Sequence, residues 1–71
     1  SQSDLTALQS QATAAQTNIN TLNTYLAALN AQIASPPVGA DVTQLQAAAT
    51  DLQTRISAEQ TNLNNVNTSI T

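Results

Sequence analysis

The chain contains no cysteine, histidine, methionine, tryptophan or phenylalanine, and Tyr25 is its sole aromatic residue. Without cysteine, neither a disulfide framework nor a thiolate metal site can staple it. Arg55 is the only basic residue in 71, and the net charge is −3. No patch can neutralise a row of phosphates, which excludes nucleic-acid binding, and anionic membrane surfaces are disfavoured for the same reason. The longest apolar run is YLAAL, residues 25 to 29, far short of the roughly 20 residues a spanning helix needs. No signal-peptide pattern is expected at the start. Glycine occurs once and proline twice, all three between 36 and 39, so nothing breaks the rest of the chain. At this length one core stabilises a domain only marginally.

What remains is rich in Ala, Gln, Asn, Ser and Thr, a composition compatible with disorder until its apolar residues are placed. Steps of three and four from Leu5 reach Leu8, Ala12, Ala15, Ile19, Leu22, Leu26, Leu29 and Ile33. The same steps from Val42 reach Leu45, Ala49, Leu52, Ile56, Glu59, Leu63, Val66 and Ile70. Only Glu59 is polar among them. Outside this pattern the only large apolar side chains are Tyr25 and Val38. A 3.5-residue period sustained over four heptads, twice, predicts two supercoiling α-helices, at about 4–34 and about 42–70.

Residues 35–41 form the expected turn. Pro36 and Pro37 stop the first helix, and Ser35, preceding proline, is driven out of helical geometry. Gly39 is available where positive φ is needed. Asp41 with Gln44 three residues on reads as a capping box, and Ser3 or Asp4 is expected to cap the first helix. A connection this short between helices of similar length predicts an all-α, two-helix antiparallel coiled-coil hairpin.

A repeat accompanies the seam. With an offset of 44, residues 8–26 align with 52–70 at nine of nineteen identical positions. One helix chemistry used twice and an ancestral duplication both account for it, and the hairpin follows from either. Pairing a with d positions about a turn centred near 39 makes facing residue numbers sum to 78. Ala15 then faces Leu63, Ala12 faces Val66 and Leu29 faces Ala49, large against small as void-free cores require. The e positions of both helices are all amides, from Gln9 and Gln16 to Gln60 and Asn67. Most coiled coils choose partners there with charges; this rim is uncharged.

No catalytic constellation emerges, and the chain is expected not to be an enzyme and to need no cofactor or metal. Asp4 and Asp41 sit at helix starts, where the macrodipole favours anions, and at opposite ends of the hairpin. Asp51, Arg55 and Glu59 are spaced by four, so the cation lies between two carboxylates, each exposed pair being worth about 0.3–0.5 kcal/mol. No histidine or paired carboxylates are present for acid–base work, and no base could activate the hydroxyls. Glu59 is expected to lean out of the seam towards Arg55, or to act as a polar residue that sets register.

Low charge, Ala/Gln/Asn/Thr richness and a bare hairpin resemble small coiled-coil structural proteins of bacterial viruses, such as cement, fibre or tail-associated components. That resemblance implies a virion structural protein whose partner is another protein, as a homo-oligomer or within a larger particle. The turn SPPVGAD lacks the Trp-x-Gly of the WXG-type secreted hairpins. On the outer b and f positions, Thr6 and Thr17, Thr13 and Thr24, Thr43 and Thr54, and Thr50 and Thr61 are each eleven apart, about 16.5 Å along a helix. This spacing is similar to that of the fish type I antifreeze helices, which would imply ice as the ligand. A non-viral adaptor hairpin is the remaining alternative.

Overall fold

In a computed structural model describing all residues Ser1–Thr71, two long helices account for almost the whole chain. Helix α1 spans Gln2–Ala34 and α2 spans Val42–Ile70. They pack along their length as an all-α antiparallel hairpin. The first helix starts earlier than its capping signals suggest. Ser1, not Ser3 or Asp4, is the N-cap, its Oγ accepting from the Asp4 backbone N–H at 3.2 Å. That geometry leaves Asp4 in the first turn, where its charge meets the positive end of the helix.

Between the helices the chain turns by local rules. Ser35 has φ −139° and ψ 77°, and its N–H closes the last bond of α1 to Ala31. Pro36 and Pro37 continue away from the helix. The Ala40 N–H then donates to the Pro37 carbonyl at 3.0 Å, closing a four-residue turn whose third residue is Gly39 at φ +82°. That angle is what a type II turn requires, and only glycine adopts it without strain. At the start of α2, Asp41 Oδ1 accepts from the Gln44 N–H at 3.3 Å. The reciprocal bond from the Gln44 side chain is not formed, so the cap is half of a capping box.

The result is a rod of 56 × 14 × 12 Å. Its radius of gyration, 16.2 Å, compares with about 11 Å for a compact domain of this length. Its accessible surface, 4792 Å², exceeds the roughly 4,200 Å² of a compact monomer of the same mass. Five residues are buried: Ala15, Ile19, Ala49, Leu63 and Val66. Ala15, Ile19 and Leu63 form one cluster with Ala12 packed against it, as the register summing to 78 requires. The core is therefore a thin line, most enclosed near mid-rod.

Candidate functional site: the seam and its flanks

Every buried or half-buried residue lies on the heptad seam, and every seam residue is one or the other. The five buried positions are joined by partly covered Leu5, Leu8, Ala12, Leu22, Leu26, Leu29 and Ile33 from α1. From α2 come Val42, Leu45, Leu52, Ile56, Glu59 and Ile70, also partly covered. Two helices alone can close only one side of each a/d side chain, so most of the seam keeps an open edge. Tyr25 and Val38 are the exposed large apolar residues, at 58% and 107% of full exposure. Pro36, Pro37, Gly39 and Asp41 are exposed with the turn.

The repeat has structural content. An offset of 44 carries one set of side-chain bonds onto another. Thr6 donates to the Gln2 carbonyl and Thr50 to that of Gln46. Gln16 Nε2 donates to Asn20 Oδ1 at 3.0 Å, and Gln60 Nε2 to Asn64 Oδ1 at 3.1 Å. Thr24 and Thr68 donate to the carbonyls of Asn20 and Asn64. Because the helices run in opposite directions, an equivalence of i with i+44 is an approximate two-fold axis across the rod. The axis passes between Thr17 and Thr61. Ala15, Ile19 and Leu63 surround it, and the fourth member of that set is Glu59, the counterpart of Ala15. The most enclosed part of the hairpin thus contains the one polar seam position.

Glu59 does not turn to Arg55. Arg55 Nε pairs with Asp51 Oδ2 at 3.0 Å, one turn earlier, while Glu59 Oε1 accepts from Asn62 Nδ2 at 3.0 Å. An Arg one turn after Asp is on the side its side chain naturally reaches, because helical side chains slope towards the N-terminus. Glu59 instead finds a donor one turn onward. It keeps its stem on the seam and its carboxylate on the g-position side.

The two flanks of the rod differ. The e flank carries Gln9, Gln16, Asn23 and Asn30 alongside Gln46, Gln53, Gln60 and Asn67, all exposed. The g flank carries Tyr25, Arg55, Ala48, Asn18 and Asn62, and on it lies a shallow groove of about 370 Å³. Asn18, Thr21 and Leu22 of α1 and Arg55, Ala58 and Glu59 of α2 line it. The lining residues again place Leu22 beside Ile56's stretch of α2, in the same register. A second depression, formed by Thr6, Gln9, Ser10, Thr13 and Ala14, belongs to α1 alone.

Sequence reasoning did not single out Asn62 as the partner of Glu59, nor the groove. The Gln–Asn pairs spaced by four were visible in the sequence as candidates for helix-surface bonds. In comparison with protein-family models, curated proteins and solved structures, the chain matches none.

Proposed function

We propose that this protein is a non-enzymatic structural or assembly element that acts by coiled-coil packing against other protein, as a small virion component would. The observation that carries the reading is the open seam. Folding buries about 55% of the surface of the extended chain, below the roughly 60% usual for so small a domain. Thirteen of the eighteen seam positions keep an exposed edge. Further helices added along that edge would cover aliphatic surface at about 25 cal/mol per Å². The uncharged amide flank would then form a rim that tolerates close packing without ion pairing.

Sedimentation equilibrium and native mass spectrometry between about 1 μM and 1 mM test this. Association with a melting temperature that rises with concentration is expected. A monomer whose melting temperature is independent of concentration would count against self-assembly. If that monomer also fails to enter a particle in co-assembly, the structural reading is lost.

Ice binding is the second reading, favoured by one observation. Thr6, Thr24, Thr50, Thr54, Thr61 and Thr68 each donate their hydroxyl to the backbone carbonyl four residues earlier. This holds their side chains in one orientation along the outer faces. Thermal hysteresis at millimolar concentration decides it: ordinary freezing eliminates this reading.

A further inference from the structure

We infer that the g flank is the surface on which a second copy of this chain docks, with Tyr25 of each copy seated in the groove of the other. The inference deepens the assembly reading by naming the partner and the face. Tyr25 is exposed at 58%, outside the seam and outside the turn. It lies one turn beyond Leu22 on the same flank, so the groove and the ring are neighbours along α1. A tyrosine left in water beside a groove that includes Leu22 and Ala58 has the amphipathic character of an interface anchor.

The charges on this flank are arranged for the same operation. In the antiparallel register, Arg55 of α2, itself a wall of the groove, is level with Asn23, about two residues short of Tyr25, and Glu59 is level with Ile19 at the far end of the groove. A two-fold axis lying across the flank, midway between Arg55 and Glu59, carries Tyr25 to that far end of the groove of the second copy. The same rotation carries Arg55 onto Glu59 of the second copy. One symmetry element therefore satisfies both the ring and the charges, as an isologous contact demands. Glu59 has no cation of its own in the hairpin, since Arg55 is turned to Asp51. A second copy supplies one, and Arg55 can bridge the two carboxylates.

The size of the face is sufficient. A flank 56 Å long and 14 Å wide presents at most about 780 Å² in projection, on the scale of the roughly 800 Å² per partner of a standard stable interface. The opposite flank offers less. Its amides are exposed, Gln16 and Gln60 are committed to bonds within their own helices, and no aromatic or aliphatic side chain stands out from it. Docking through the g flank would close the open edge of the seam on that side and leave the amides at the rim of a four-helix bundle.

The full-length chain tests this by sedimentation equilibrium, with circular dichroism to verify that each variant is helical. Tyr25→Ala should weaken self-association about 30-fold, as loss of an interface anchor does. Arg55→Glu and Glu59→Arg should each weaken it at least about 10-fold, and the double swap should restore it, as close interfacial charge pairs do. Gln16→Glu with Gln60→Glu on the other flank should leave it unchanged. Self-association that is indifferent to Tyr25 and the charge swap but broken by the Gln16/Gln60 variant overturns the assignment of the face while the assembly reading stands. A wild-type chain that stays monomeric throughout overturns docking by a second copy altogether. Tyr25→Ala and Gln16/Gln60 lie at exposed sites, so they remain informative if the Glu59 variant fails to fold.

Discussion

Exchanging the large and small partners of one core layer would test the packing on which everything else rests. Leu63 is 8% exposed and Ala15 2% exposed, within the same cluster. Leu63→Ala removes a nearly enclosed side chain opposite a residue that has only a methyl group to offer in return. Leu→Ala changes in enclosed cores cost about 2.7–5 kcal/mol. A thin two-helix core collapses more easily than a globular one, which puts the expected loss near the low end, about 3 kcal/mol. For a domain of this length that is a fall in melting temperature of roughly 12–24 °C. Ala15→Leu alone adds volume where Leu63 already fills the layer, at about 1–3 kcal/mol. The double variant puts leucine on α1 and alanine on α2 in the same layer, so its volume is restored. Its stability should return to within about 1 kcal/mol of the parent, a coupling of at least about 2 kcal/mol for residues in contact. Ala15→Leu combined with Leu52→Ala, three layers away, should show no such rescue. Urea melts followed by circular dichroism at 222 nm, analysed at fixed protein concentration, provide the numbers. Simple additivity for the 15/63 pair, within about 0.5 kcal/mol, would mean these residues do not face each other, and the register would be wrong.

Three further outcomes are expected. Gly39→Ala should destabilise the hairpin by about 1 kcal/mol through its positive φ alone, because a Cβ at that position meets nothing within 4 Å; an unchanged midpoint in the same urea melts would contradict the type II turn. Asp41→Ala should cost about 1 kcal/mol by leaving the Gln44 N–H without its cap, whereas Asp41→Ser should recover most of it; equal losses for both variants would show that the cap bond is unimportant. Glu59→Leu should stabilise the isolated hairpin by about 1 kcal/mol, since an aliphatic side chain replaces a carboxylate at a partly covered seam position; a drop in the melting temperature at micromolar concentration would indicate that the Asn62 bond or the polar stem contributes more than the apolar gain.

Much of this molecule could be read directly from the order of its residues. A 3.5-residue apolar period is a one-dimensional property, and it singles out the same eighteen positions that the packed helices cover. The Pro36–Pro37 pair and Gly39 act through backbone sterics within a few residues, so the corner needs no tertiary information either. The outward hydroxyls and amides follow by elimination. What the sequence could not decide were choices among near-equal local partners. Ser1, Ser3 and Asp4 are all competent caps, and the helix takes Ser1. Arg55 has a carboxylate one turn away on each side, separated by a few tenths of a kcal/mol, and rotamer geometry sends it to Asp51. Glu59 then goes to Asn62.

The difference between the two flanks is likewise a tertiary matter. Letters e and g are equivalent on a helical wheel. Only the antiparallel pairing of α1 with α2 sets eight amides along one side and gathers Tyr25, Arg55, Glu59 and the Leu22 groove along the other. The sequence by itself determined which residues are apolar, where the helices stop and that they must fold back, because those depend on interactions within a few residues of the chain. The tertiary structure decided which flank carries the groove and where enclosure is greatest, because those depend on residues some forty positions apart meeting in space.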